Sequence, residues 1–284
     1  MRADNTLEAG LYLVATPIGA ARDITLRALD VLAGADVIAA EDTRTTRRLM
    51  EIHGIALGGR PLLAYHDHNG PQMRPALLRH IAEGRSVAYA SDAGTPLVAD
   101  PGYALAREVI AAGLAVQAVP GPSALLAALV VSGLPTDRFL FAGFAPTNEA
   151  GRARVLRELA GVPATLVFFE APKRLLRMLR SCVSVLGGER QAAVCRELTK
   201  KFETVKRGTL MQLATEFADQ TPKGEIVLVI DRGRQGATDA DRDAALRIAL
   251  ETQSLKDAVQ GVAEALDLPR RDVYQAALKL GKPS

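Results

Sequence analysis

Five short apolar runs alternate with five stretches of helical spacing across the first half of the chain, and that rhythm restricts the fold more than any other feature. Residues 11–16, 37–40, 62–65, 87–90 and 116–119 read as strands, and residues 24–33, 43–53, 71–83, 103–112 and 123–132 as helices. Strands separated by helices cross over in one direction, so the pattern predicts a mainly parallel sheet covered on both faces. A second series of strands is expected at 139–143, 165–169, 192–195 and 226–230, with helices at 149–160, 175–186 and 210–217. The break between the two series falls near residues 133–137.

With 284 residues, 48% of them apolar, the chain exceeds the usual size of one domain. Units are expected at 1–134, 135–234 and 235–284. The last follows a polar, glycine-containing linker, RGRQGATDAD, and holds three helical stretches at 239–250, 255–266 and 270–280 with no strand signal. The fold class is therefore α/β, with two α/β domains and a small C-terminal helical unit. A Leu-Pro turn between the last two stretches resembles a helix-turn-helix. Residues 239–284 carry seven basic against eight acidic side chains, which favours a packing module or dimer contact over a DNA reader.

The apolar runs are far shorter than a membrane span, and the first ten residues lack the basic and apolar regions of a signal peptide, so a soluble, cytoplasmic protein is expected. Cys182 and Cys195 sit in apolar segments without a CxxC pattern or a nearby His pair. Buried reduced thiols, with no metal, are expected.

Two loops stand out at expected strand ends. SDAGTPLVADPGY (91–103) follows the fourth run, and Pro120-Gly121-Pro122-Ser123 follows the fifth and opens an alanine-rich helix. Open α/β sheets bind small ligands at such carboxyl ends, where backbone N–H groups converge. A tight turn accounts for any single Gly-Pro pair.

Net charge is only +3, but residues 170–208 hold ten Lys or Arg against four Glu. This local excess fits either phosphate contact or a solvated face. The run EDTRTTRR at 41–48 reads as a strand end entering a helix, with Arg44, Arg47 and Arg48 on one face. HDHN at 66–69 contains His and Asp but lacks the rest of a metal cluster. A substrate-facing loop, with His66 or Asn69 bonding ribose or base, or a surface turn, is expected instead.

Several motifs occur together and in order: LYLVATPIG (11–19), EDTRTTRRL (41–49), HDHN, SDAGTPLVADPGY, VPGPSA (119–124), SGLP (132–135), FFEAP (168–172) and RELTKKFE (196–203). This set resembles the tetrapyrrole methylase superfamily of S-adenosylmethionine-dependent enzymes, in the branch that methylates a cytidine ribose 2′-hydroxyl in small-subunit ribosomal RNA. The resemblance implies two α/β domains with the cofactor in the cleft between them, and a homodimer acting on small-subunit RNA or the assembled small subunit. The chain departs from the usual pattern at Ala20-Ala21, Gly70 and Lys173, where the family has Asn-Leu, Glu and His.

By this resemblance the S-adenosylmethionine site takes in Pro17, Asp92, Gly94, Thr95, Pro96, Val98, Ala99, Pro122, Ser123, Ala124, Phe169 and Glu170. Arg44, Arg47, Arg48, Lys173, Arg174, Lys200 and Lys201 are expected to meet RNA. Methyl transfer to an alcohol benefits from a group that accepts the hydroxyl proton. Asp100, Glu41, Asp42 and His66 are candidates, with Asp92 beside them. Asp100 lies in the cofactor loop, although Asp-Pro-Gly is also a common helix entry and its carboxylate could serve as a cap.

Two rivals remain open at this point. A methyltransferase of a small, tetrapyrrole-like molecule would want a neutral apolar cleft, against which the basic segments weigh. A non-enzymatic RNA-binding protein on the same scaffold would be free to lose the Gly-Pro loops that this chain keeps. With only five Tyr and seven Phe and no Trp, contact with RNA through Arg and Lys is favoured over stacking along a long strand.

Overall fold

The computed structural model describes residues 7–66, 68–220, 222–233, 239–266 and 268–280. In the first unit the strands β1 (Gly10–Val14), β2 (Val37–Ala40), β3 (Leu62–Ala64), β4 (Ser86–Ala90) and β5 (Val116–Val119) alternate with helices. These are α1 (Leu26–Gly34), α2 (Thr43–Ile52), α3 (Gly70–Ala82), α4 (Tyr103–Ala111) and α5 (Ala124–Ser132). The sheet is fully parallel in the order β3-β2-β4-β1-β5, as the strand and helix rhythm requires.

Alternate residues of each strand point to opposite faces. Tyr12, Val14, Ile38, Ala88 and Ala90 pack with α1 and α2, whereas Leu11, Val37, Ala39, Val87 and Tyr89 pack with α3 and α4. Both faces are therefore apolar, and the central strands read as unbroken hydrophobic runs.

The second unit comprises β6 (Phe139–Phe144), α6 (Glu149–Leu159), β7 (Thr165–Glu170), α7 (Leu175–Leu186), β8 (Gln191–Arg196), β9 (Thr204–Thr209), α8 (Leu210–Glu216) and β10 (Ile226–Ile230). Its sheet order is β6-β7-β10-β8-β9, with only the β6–β7 pair parallel. β9, TVKRGT, has no counterpart in the sequence expectation. It is an edge strand whose Lys206 and Arg207 break the apolar alternation, a common way to keep an edge from pairing with another chain.

One face of this sheet packs on α6, α7 and α8. The other packs on α5: Ala128 and Leu129 join Val167, Ala193, Cys195, Val227 and Val229, together with Ile18. Thus α5 leaves the first sheet through β5 and covers the second. It is apolar all round, burying Ala128 and Leu129 on the second sheet while Leu126 and Val130 stay exposed. Both cysteines are free and buried.

The helices α9 (Asp239–Leu250), α10 (Leu255–Leu266) and α11 (Arg270–Leu280) form a separate small core around Leu246, Val259, Val262, Val273 and Ala277. The expected linker lies in part outside the described residues, at 234–238, and so do residues 1–6 of the segment read for a signal peptide. No described helix is long and apolar enough to cross a membrane.

Leu129 is 3% exposed and sits in the shared core. Leu129→Ala is expected to lower the unfolding free energy by about 2–5 kcal/mol, seen as a lower urea midpoint. Its neighbour Val130 is 74% exposed. Val130→Ala should stay within about 0.5 kcal/mol.

Candidate active site

The loops after β1, β4 and β5 are tied into one platform. Thr16 and Gly94 exchange backbone hydrogen bonds of 2.9 and 3.0 Å, and the Thr16 hydroxyl donates to Ser91 O at 3.0 Å. The Thr95 hydroxyl donates to Pro122 O at 3.0 Å, which joins the 91–103 loop to the Pro-Gly-Pro turn. A Cβ on Gly121 would lie 3.0 Å from Ala15 Cβ, so this close crossing of loops favours glycine. Leu97 and Ala99 adopt positive φ of 70° and 62°. Strained non-glycine residues persist where surrounding bonds hold them, and they concentrate at functional sites.

The platform meets the second unit through a small contact. The Ala20 N–H donates to the Thr199 hydroxyl at 3.1 Å. A Cβ on Gly19 would stand 2.5 Å from Lys200 Cγ and 2.6 Å from Thr199 Oγ1, so only glycine lets the two loops approach this closely. Ala20 acts here through its backbone, which explains why the departure from Asn leaves the contact intact.

Between the units lies a cavity of about 370 Å³. Gly94, Thr95, Val98, Ala99, Ser123 and Ala124 form one side; Phe144, Phe169, Leu198 and Val227 form much of the other. Among the described residues its lining includes five carboxylates, Glu41, Asp92, Asp100, Glu170 and Glu225, and no Lys, Arg or His. Burial pushes Asp100 up to about 7, helped by repulsion from Glu41, Asp92 and Glu225. Burial also raises Asp92 and Glu170. Glu170 accepts from the Ala171 N–H at 2.8 Å and pairs with Arg174 at 3.1 Å, while its Oε2 is buried without a partner.

Most expected cofactor residues meet here. Pro17, Pro96 and Pro122 are not in the cavity wall; Pro122 contributes through its carbonyl to Thr95. Among the proton-accepting candidates, Glu41 and Asp100 line the cavity, and Asp42 and His66 do not. Asp42 caps α2, accepting from the Arg44 N–H at 2.8 Å, and the Arg44 side chain holds its carboxyl down to about 2. Its own N–H donates to Asp92 Oδ1 at 3.1 Å, and the Asp92 N–H donates to Glu41 at 3.2 Å, which sets the start of α2 at the cavity.

β3 stops at Ala64, so His66 belongs to a loop rather than a strand end. Its N–H donates to Asn69 Oδ1 at 2.9 Å, and Asn69 Nδ2 donates to Ala64 O. Asn69 is therefore occupied in closing the loop. Asp67 of the same motif lies outside the described residues. Among the described residues no three potential ligands gather around a metal position. Nor does Asp100 cap α4: the capping position is Gly102, without a side-chain bond.

The basic surplus at 170–208 is mostly spent within the fold. Arg174 pairs with Glu170 and donates to Ala145 O, and Lys200 bridges Glu197 and Glu225 at 2.9 Å each. Arg190, Arg196 and Arg207 donate to backbone carbonyls, and Lys206 pairs with Glu216. Lys173 and Lys201 are exposed, as are Arg47 and Arg48. Arg44 is 89% exposed and pairs with Asp42, two residues before it. Fewer cationic side chains are thus left for contact with an anion than the residue count suggests.

The sequence reading missed Ile18, Phe144, Cys195, Leu198, Gly224 and Glu225 in the cavity wall. Phe144 ends a strand and Leu198 sits inside the RELTKKFE motif, but nothing local marks either as facing a cleft. Gly224-Glu225, directly before an apolar strand, was a readable loop signal.

Two α/β units, one parallel and one mixed, enclosing an acidic cleft at the loops of the first, define a methylase of the tetrapyrrole type. The profile of tetrapyrrole (corrin/porphyrin) methylases matches residues 10–214, and that of the RsmI C-terminal HTH domain matches residues 236–281. The ribosomal RNA small subunit methyltransferase I of Mesorhizobium japonicum is 49% identical over 276 residues, covering 96% of this chain and 93% of that protein. That of Vibrio cholerae is 43% identical, covering 95% and 94%. The chain belongs to the tetrapyrrole methylase family and, within it, to the ribosomal RNA small subunit methyltransferase I family. The methyltransferase CobJ shares the fold at a TM-score of 0.60 with 20% identity, covering 80% of this chain and 95% of that one.

Asp100 yields a pH prediction for the ligand-free protein. Its folded value of about 7 exceeds the ordinary 3.8, so the folded state holds the proton longer than the unfolded chain. Stability contributed by this group is full below about pH 4 and is lost as pH rises through 7. Asp100→Asn removes that loss. Urea midpoints should show the variant gaining on the wild type between about pH 5 and pH 8.

Proposed function

We propose that this protein uses S-adenosylmethionine to methylate the 2′-hydroxyl of a cytidine ribose in small-subunit ribosomal RNA. The observation that carries the reading is the cleft itself: apolar walls and five carboxylates with no basic side chain. The cofactor joins an adenosine to a sulfonium cation, and the residues fit it. A volume near 370 Å³ lies within the range of small-molecule sites, about 300–1,000 Å³. Phe169, Ile18 and Leu198 offer surface for a ring. Glu170 and Glu225 are paired with Arg174 and Lys200, whereas Asp92 and Asp100, raised by burial and by neighbouring carboxylates, favour positive charge in a partly dry site.

When bound, the cofactor supplies an electrophilic methyl group. The residues of the chain align the ribose oxygen, exclude water and take its proton. Asp100 is the acceptor we favour: it lies in the cavity wall, where burial and the neighbouring carboxylates raise its affinity for a proton above that of an ordinary aspartate. Glu41 stands beside it as a second carboxylate. The names of the relatives, matched over nearly the whole chain, support small-subunit RNA as the substrate. Exposed Arg44, Arg47 and Arg48 lie on α2, whose start is bonded to the cavity wall through Asp92, where they can meet phosphates. A cytoplasmic homodimer acting on free RNA or the assembled subunit completes the reading, with Leu126 and Val130 as exposed apolar side chains on α5.

Incubation with labelled cofactor and unmethylated small-subunit RNA, free or assembled, followed by digestion, tests this. Label is expected in 2′-O-methylcytidine. Asp100→Asn should lower kcat by about 10²–10⁴-fold while the KM for cofactor changes only a few-fold. Label entering only a small tetrapyrrole-like acceptor would replace the RNA reading with the small-molecule one.

A further inference from the structure

One large apolar side chain near the cleft is turned outward by a loop that the structure holds unusually firmly. Phe202 is 63% exposed, in the loop at residues 197–203 that separates β8 from β9. Glu197 and Thr199 adopt positive φ of 53° and 64°. Three bonds fold the loop on itself: Lys200 N–H to Glu197 O at 3.0 Å, Glu203 N–H to Lys200 O at 3.1 Å, and Thr199 N–H to Glu203 Oε2 at 2.6 Å. Arg196 then donates to Phe202 O at 3.0 Å and to Lys223 O at 3.1 Å. One guanidinium therefore fixes Phe202 beside the segment that enters the cavity wall at Gly224. The same loop lines the cavity through Leu198 and grips the first unit through Thr199.

A single exposed ring is ordinary on a protein surface, but this one is carried by a loop whose positive-φ residues are held by several bonds beside the cavity, and strained segments of that kind concentrate at functional sites. The neighbouring Lys201 holds its ammonium 5.5 Å from the ring centroid, so the loop presents an aromatic face together with an exposed cation. That pairing suits an unpaired nucleobase with its phosphate, since every base has a face to stack and every nucleotide a charge to neutralise. We propose that Phe202, with Lys201, forms a single-base stacking platform that holds a nucleotide flanking the methylated one. The ring positions substrate and takes no part in methyl transfer. This rests on the RNA-methylating reading above.

The sequence contains no Trp, so Phe202→Trp places a single indole reporter at the platform. Its emission is expected to be quenched by an unpaired oligocytidylate RNA and not by a fully paired RNA duplex. In parallel, Phe202→Ala should lower kcat/KM for small-subunit RNA roughly 5- to 150-fold, the range for loss of one stacked base. Its Kd for cofactor by calorimetry should stay within twofold. Phe202→Trp should restore turnover and Phe202→Leu should not, which separates stacking from mere filling of space. Absence of quenching, or Phe202→Ala matching the wild type on RNA, would overturn the platform and leave the RNA reading standing. A wild-type protein that binds cofactor but methylates no RNA would remove both.

Discussion

Everything at the cleft depends on one helix crossing from sheet to sheet. α5 continues the parallel unit through the Pro120–Ser123 turn, yet it buries Ala128 and Leu129 against β7, β8 and β10 of the mixed unit. Apolar burial is non-directional, but a helix anchored at one end to β5 can cover only one part of the facing sheet. The second unit is thereby held with Phe169 and Val227 opposite the 91–103 loop. The Gly19–Thr199 approach acts as a second, finer contact, and its tolerance is set by the absence of a Cβ.

Given that frame, the electrostatics of the cleft follow from convergence. Glu41 and Asp92 come from the ends of neighbouring strands, Asp100 from the long loop, and Glu225 from the far unit. Separately, each would be an ordinary surface carboxylate. Gathered around the partly buried Asp100, the others disfavour its negative charge, and burial of Asp100 itself adds the larger part. A bound cation offsets that repulsion, so the same cluster that weakens the ligand-free fold would strengthen cofactor binding. Stability and function pull in opposite directions at this point, as is common for active sites.

Much of this was readable from residues alone. Seventeen of the eighteen helices and strands of the two α/β units and all three C-terminal helices were read within a residue or two, because their apolar periods are clean and their caps conventional, as at Thr25, Asp42 and Asn148. Much of the first unit's side of the cavity wall was legible for a similar reason: Gly94, Thr95, Val98, Ala99, Ser123 and Ala124 lie in two compact loops whose composition signals strand ends. β9 was illegible because its central residues, Lys206 and Arg207, are charged on both faces of the strand and break the apolar pattern. Phe144 and Leu198 were illegible because each sits in an unremarkable local context and gains its place in the wall only from what faces it.

The sequence by itself determined the parallel α/β unit, the helical C-terminal segment and the family to which the chain belongs, since each is written in local periodicity or in contiguous motifs. Which charges remain available was decided only by the tertiary structure. Arg174, Lys200 and Asp42 look alike in the sequence to Lys173, Lys201 and Asp100, but the first three find partners within the fold. A residue's pairing depends on neighbours brought in from distant positions, and a linear pattern records the side chain without recording the neighbour.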